Sequence, residues 1–364
     1  MLKPSDPRLA PASLSCWFIV LLLVLPSILV GCIPTGTSTP PPPTVVSTPT
    51  PLVATVNPAT STLTLFETPR DGPTPVLSAI QSAATAVDVE VYELTDSGVI
   101  KALIADQQAG RSVRVILNQN FFSGTNINTP TFQQLNNAGV AVQWADPTFT
   151  YTHEKAVIVD PGQSTQQVLI MTLNLSPGYL GEPDPQGMSL NFGVVNPFPA
   201  DVAQAELIFN ADWTHQSYAP PSNTDLVISP VNARTDLLTE IQNATHSIHF
   251  FAQEFIDQQI VKAMVAKAQS GIEVKGLIAP GISGNPQSAA ALQAAGGQVR
   301  ILSQPYEHAK ATIVDGSVVY LGSINYTQTS MDKNRELGIL TSQSDIAAQM
   351  EVEFARFWTQ GTAP

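Results

Sequence analysis

Two stretches of this chain repeat one another at a fixed spacing. Val89-Glu90-Val91-Tyr92-Glu93-Leu94, then Val99-Ile100-Lys101-Ala102-Leu103, Gly110 and Val113-Arg114-Val115, form the first. Phe250-Phe251-Ala252-Gln253-Glu254, then Ile260-Val261-Lys262-Ala263-Met264, Gly271 and Val274-Lys275, form the second. Pairs such as Glu93 and Glu254, or Arg114 and Lys275, lie 161 residues apart, as do Pro69 and Pro230. A unit of that length excludes a short-period solenoid. Val99, Ile100, Leu103 and Ile104 mark one helix face, and Ile260, Val261, Met264 and Val265 mark its counterpart. Gly110 and Gly271 stand where a helix would be capped, and the runs Val113 to Leu117 and Val274 to Ile278 read as buried strands. Each copy therefore reads helix, strand, helix, strand, and the expected fold is two tandem α/β halves, 63–225 and 226–364, packed about a pseudo-twofold axis.

A chemical pattern recurs in register with this repeat. His153-Glu154-Lys155 is followed by Asp160, and His308-Ala309-Lys310 by Asp315. On a strand, His and Lys two residues apart face the same side. An Asn follows each copy: Asn174 after Met171-Thr172-Leu173, and Asn325 after Gly322-Ser323-Ile324. Asp160 and Asp315 fall at turn positions and read as structural carboxylates that hold the motif in place.

These residues resemble the phospholipase D superfamily, whose motif is His-x-Lys-x4-Asp followed by Gly-Ser-x-Asn and a later Glu. The second half matches it with His308, Lys310, Asp315, Gly322, Ser323, Asn325 and Glu336. The resemblance implies two α/β sandwich halves with both motifs meeting at one interfacial site. A phosphodiester is anionic with a poor alkoxide leaving group, so one imidazole attacks phosphorus while the other protonates the departing oxygen. The lysines and asparagines supply fixed donors to the non-bridging oxygens. No cofactor or metal is expected, and the other histidines lack carboxylate or cysteine companions at ligand spacing. The resemblance makes His153 the nucleophile, forming a phosphohistidine, and His308 the acid and then the base; the residues alone leave the two roles open.

The first half departs from the pattern. Thr172 stands where the family has Ser and is expected to supply the same hydroxyl. Asn191, within Asn191-Phe192-Gly193, stands where the second half has Glu336-Leu337-Gly338. An amide in place of a carboxylate is expected to leave His153 less basic, unless Glu182 or Asp184 substitutes. Tyr92 and Gln253 are expected to line the pocket, with Glu93 and Glu254 at its edge or in solvent. His215, His246 and His249 read as surface or packing residues, and Trp213 and Trp358, in the last helix of each half, as core.

The N-terminus concerns address. Lys3 and Arg8 precede an apolar run from Leu14 to Val30 that ends in Leu29-Val30-Gly31-Cys32. This layout resembles a bacterial lipoprotein signal peptide over 1–31, with Cys32 lipidated; an uncleaved signal anchor is the alternative. Residues 32–62, rich in Thr and Pro, read as a tether, and a coil of about 30 residues reaches roughly 30 Å. The expected location is the cell envelope, on the extracytoplasmic face of a bacterial membrane, with the chain a monomer. From Cys32 onward the chain carries 14 basic and 28 acidic residues. That excess disfavours a nucleic acid held on a broad cationic surface. The leading substrate is therefore a phospholipid head group. The alternatives are a nuclease, which the Val91-Tyr92-Glu93-Leu94 segment also resembles, a cardiolipin synthase-like transferase, and a binding protein with a decayed site.

Overall fold

The computed structural model describes residues 62–219 and 224–364. The signal peptide, Cys32 and the tether lie outside them. Among the described residues no helix is long and apolar enough to cross a membrane.

The first half runs β1 (Thr64–Thr68), α1 (Thr74–Gln81), β2 (Ala86–Val91), α2 (Ser97–Gln108), β3 (Ser112–Leu117), α3 (Thr129–Asn137), β4 (Ala141–Trp144), β5 (Lys155–Val159), β6 (Gln167–Met171), β7 (Ser189–Asn196) and α4 (Pro199–Trp213). The second runs β8 (Leu226–Ser229), α5 (Ala233–Asn243), β9 (Ser247–Ala252), α6 (Gln258–Gln269), β10 (Glu273–Ile278), α7 (Asn285–Ala294) and β11 (Gln298–Ile301). It continues through β12 (Tyr306–Glu307), β13 (Lys310–Val314), β14 (Val318–Gly322), α8 (Gln328–Asp332), β15 (Glu336–Thr341) and α9 (Ser344–Trp358). The sheets share one strand order, β1-β7-β6-β5-β2-β3-β4 and β8-β15-β14-β13-β9-β10-β11. In each, the strands joined by long crossover helices, β2-β3-β4 and β9-β10-β11, pair in parallel, and the other neighbours along these two paths pair antiparallel, because a crossover helix returns the chain to the same end of the sheet.

The repeated helices form for identifiable reasons. The Asp96 side chain accepts from the Val99 N–H to start α2, and Asp257 accepts from Gln259 and Ile260 to start α6. Each chain then turns back at glycine in the left-handed region, Gly110 at φ 86° and Gly271 at φ 88°.

Strand alternation builds three apolar layers. Val87, Val89 and Val91 face the outer helices of the first half, and Ile248, Phe250 and Ala252 those of the second. The opposite faces meet in a central core of Ile158, Ile170 and Phe192 from one sheet and Phe251, Ile313 and Leu337 from the other, closed by α4 and α9. The two sheets thus pack face to face, as the repeat and the resemblance implied.

Asp160 and Asp315 act as clamps. Both lie at positive φ, 49° and 52°. Asp160 accepts the N–H groups of Ala84, Thr85 and Ala86 and the hydroxyls of Thr85 and Thr165. Asp315 accepts those of Thr245, His246 and Ser247 and the Thr245 hydroxyl. Burial works against the charged form in both, yet these donors hold both carboxyls well below their ordinary value. Asp160→Ala is expected to lower stability by about 3 kcal/mol in denaturant titration, through loss of charge-assisted bonds. The stabilisation by both carboxylates is complete above pH about 4 and is lost progressively as acid protonates them. The difference between the parent and Asp160→Ala should therefore shrink in strong acid.

Candidate active site

The two His-x-Lys pairs sit at matching strand starts. Val91 at the end of β2 pairs with Lys155, and Ala252 at the end of β9 pairs with Lys310. Each lysine is tied to its own motif: the Lys155 Nζ donates to the His153 carbonyl at 2.7 Å, and the Lys310 Nζ to the His308 carbonyl and, at 3.0 Å, to Gln253 Oε1. Asn174 and Asn325 are buried at the ends of β6 and β14. Glu93 lies beside Asn174 and accepts from the Ser176 hydroxyl, so it belongs to the site and not to a solvated rim. The charges of Lys155 and Lys310 act on Glu93 and Glu254 respectively, while burial raises both carboxyls.

The histidine partners cross between the halves. His153 Nδ1 lies 2.8 Å from Glu336 Oε2, and His308 Nδ1 lies 2.7 Å from Asn191 Oδ1. The sequence expectation that Asn191 stands behind His153 is therefore corrected: the amide serves His308, and His153 keeps a carboxylate. Backbone pairing is the reason. The segment before each motif joins the opposite half: β12 pairs in parallel with Ser189-Leu190 of β7, and Thr152 bridges to Arg335 ahead of β15. His153 N–H donates to the Arg335 carbonyl at 2.8 Å, which sets its ring beside the next residue, Glu336. Glu182 and Asp184 play no part at His153; Glu182 interacts with Asp96 instead.

Thr172 does take the family serine's place. Its hydroxyl accepts the Phe192 N–H at 3.0 Å, as Ser323 accepts that of Leu337 at 3.1 Å. Thr172 also donates to Asn191 Oδ1 at 3.1 Å, while the Asn191 Nδ2 is spent on Ser189. That network makes Oδ1 the acceptor for His308, so Nδ1 of His308 carries a proton and Nε2 is left for the reaction. Glu336 imposes the same tautomer on His153.

Burial pushes the His153 imidazole down to about 4, with Lys155 and Lys310 adding to it and Glu336 opposing. Burial and the two lysines likewise hold His308 well below its ordinary value. Lys155 is pushed down to about 7 by burial, against the pull of Glu336 and Glu93, and burial lowers Lys310 strongly. Burial alone would raise Glu336; contact with His153, Lys155 and Asn334 outweighs it. A bound anion between the lysines would reverse the depression of both cations and of His308.

Aromatic rings flank both histidines. Tyr92 meets His153 edge-on at 4.9 Å, and Tyr179 meets His308 at 4.6 Å. Tyr92 and Gln253 were legible from the sequence, whereas Tyr179, in the loop before β7, was not, because it carries no repeat signal. His246 is exposed, and His249 is held between Glu351 at 2.7 Å and Glu273 at 3.0 Å, so it does have carboxylate companions, supplied by distant segments.

This fold and this pair of motifs define the phospholipase D class. A family model described as cardiolipin synthase, PLD-like domain, matches residues 76–213 and 237–358, and the chain belongs to that family. The mitochondrial cardiolipin hydrolase of Xenopus laevis is 27% identical over 170 residues, 45% of this chain and 75% of that protein. The cardiolipin synthase of Clostridium perfringens (strain 13 / Type A) is 27% identical over 148 residues, 36% of this chain but only 31% of that one. Among solved structures, phosphatidylserine synthase from Haemophilus influenzae Rd KW20 aligns over 80% of this chain and 85% of its own, with TM-score 0.61 and 11% identity. Polyphosphate kinase from Porphyromonas gingivalis aligns over 80% of this chain and 46% of its own, with TM-score 0.62 and 16% identity. At such identities the two structures establish the fold alone.

Proposed function

We propose that this chain is a phosphodiesterase of the phospholipase D type that hydrolyses phospholipid head groups, held to the outer face of a bacterial membrane by a lipidated Cys32. The observation that carries the reaction is the crossed pairing, which leaves two imidazole Nε2 atoms, one anchored by a carboxylate and one by an amide, beside two lysines. His153 Nε2 attacks phosphorus, the bond to the alcohol oxygen breaks, and protonated His308 gives that oxygen its proton. Water then gives a proton to His308 as its oxygen displaces His153 from phosphorus, which restores both rings. The amide behind His308 adds no negative charge, so its imidazolium remains a willing donor. Lys155, Lys310, Asn174 and Asn325 hold the phosphoryl oxygens.

A lipid substrate is supported by the rim. Among the described residues the exposed large apolar side chains include Phe122, 91% exposed, with Ile127, Met188 and Ile256. Phe122 and Ile127 lie on the β3–α3 loop, where the Phe122 N–H reaches the Tyr92 hydroxyl at 3.3 Å. Met188 immediately precedes β7, which carries Asn191, and Ile256 follows Glu254. These loops emerge at the strand ends that hold the site, and exposed apolar groups there suit a surface that meets a bilayer. Similarity to a cardiolipin synthase favours one further reading, in which an alcohol replaces water in the second step.

The full chain is to be offered phosphatidylcholine and cardiolipin vesicles, single-stranded DNA, and a soluble aryl phosphodiester, with and without added glycerol. Release of head groups without glycerol transfer is expected, and cleavage of DNA alone would sink the lipid reading. Phe122→Ser combined with Ile256→Ser should lower vesicle hydrolysis about tenfold while leaving the soluble diester within about twofold, since each lost apolar contact weakens only membrane docking.

A further inference from the structure

Three carboxylates are sealed between the halves one residue away from His153. Glu90 on β2, Glu154 ahead of β5 and Asp212 on α4 are 1%, 2% and 3% exposed. One oxygen of each lies within 4.8 Å of the others. Arg335 pairs with Asp212, Nη2 to Oδ1 at 2.9 Å and Nε to Oδ2 at 2.8 Å, and gives Nη1 to the Ser229 carbonyl. Among the described residues, neither oxygen of Glu90 nor Oε2 of Glu154 has a hydrogen-bond partner. Buried carboxylates without donors are costly and call for a counter-ion.

The fold itself does not require charge here. The matched positions around the pseudo-twofold are Phe251 for Glu90, Ala309 for Glu154, Phe357 for Asp212 and Leu190 for Arg335. All four of those lie in the central apolar core. The same architectural corner is thus filled by hydrocarbon on one side and by three acids on the other.

We propose that Glu90, Glu154 and Asp212 bind one divalent metal cation of the calcium class. Three carboxylates offer an all-oxygen donor set suited to a hard cation, and carboxylates reach calcium at about 2.3–2.6 Å, singly or through both oxygens. Arg335 offsets one of the three negative charges, and a divalent ion balances the other two. The unpartnered oxygens of Glu90 and Glu154 become ligands. The site joins β2, the His153 segment and α4, so the cation holds the nucleophile's strand in place and takes no part in the chemistry.

The test uses the purified full chain, stripped with EDTA and then offered Ca2+, Mg2+ or Mn2+, with metal content read by mass spectrometry and Tm by calorimetry. About one Ca2+ per chain is expected, with Tm several degrees lower in EDTA and restored by Ca2+. Glu90→Gln and Glu154→Gln should each lose the bound ion and the Ca2+ dependence of Tm. The combined Glu90→Phe, Glu154→Ala, Asp212→Phe and Arg335→Leu variant should fold with a Tm indifferent to EDTA; if it does not fold, the metal content of Glu90→Gln decides. A metal-free parent with the same Tm in EDTA and Ca2+, and a Glu90→Gln chain at least as stable, would overturn the proposal: the carboxyls are then neutralised by protons. Failure of the phosphodiesterase reading would leave these readouts unchanged.

Discussion

His153→Ala and His308→Ala are each expected to lower kcat for a phospholipid by a factor on the order of 10⁴ or more, because in the proposed reaction one removes the nucleophile and the other the acid and base. The two variants separate on a substrate with an aryl leaving group, which departs without a proton. His308→Ala should then form the phosphoryl-enzyme on His153 in a single burst and stall, since nothing activates the water. His153→Ala should give no burst. Mass spectrometry of the quenched protein reads the adduct directly. An adduct that persists in His153→Ala would reverse the roles of the rings, and normal turnover in either variant would remove the two-histidine mechanism altogether. Both experiments belong well below the thermal transition of the EDTA-treated chain, so that unfolding is not mistaken for a chemical requirement for metal.

The second large effect is expected from the crossed partners. Glu336→Gln should cost about 10²-fold in kcat, because the carboxylate that orients His153 and stabilises its positive charge becomes neutral. KM should change less than kcat, as Glu336 hydrogen-bonds His153 and Asn334 and reaches the phosphate donor Lys155 only through its charge. Asn191→Asp is the opposite experiment. A carboxylate 2.7 Å from His308 raises the basicity of that ring. A more basic His308 holds its proton to higher pH, so the alkaline limb of the kcat profile should move up while the acid becomes a weaker donor. Measured pH profiles for the parent and Asn191→Asp check the sign. A shift of the acidic limb alone would mean that Asn191 acts on the other histidine, against the observed geometry.

Much of this arrangement was legible from local chemistry. The two His-x-Lys pairs, the asparagines at Asn174 and Asn325 and the turn aspartates follow from strand periodicity and from one repeat laid on another, and the place of Thr172 from the family resemblance. Those rules act over a few residues and survive without knowledge of the rest of the chain. Asn191 shows where they stop. Its position in the repeat identified it as the counterpart of Glu336, yet its partner depends on which half the segment before each histidine pairs with. Repeat matching assigns equivalence within a half and carries no information about exchange across the axis. His249 makes the same point, since its two carboxylates come from β10 and α9.

The sequence by itself therefore determined the two-half fold and the residue types of the site, because helix and strand periods and the spacing of His and Lys are local physical facts. Only the tertiary structure decided that Glu336 serves His153, that Asn191 serves His308, and that Glu90, Glu154, Asp212 and Arg335 share one buried corner. The matched copy has Phe251 and Ala309 where this one has Glu90 and Glu154, but a difference between copies names no neighbour. The neighbours come from sheet packing, in which segments far apart in the chain, more than 100 residues for the two histidine pairs, are brought together by burial of the central core.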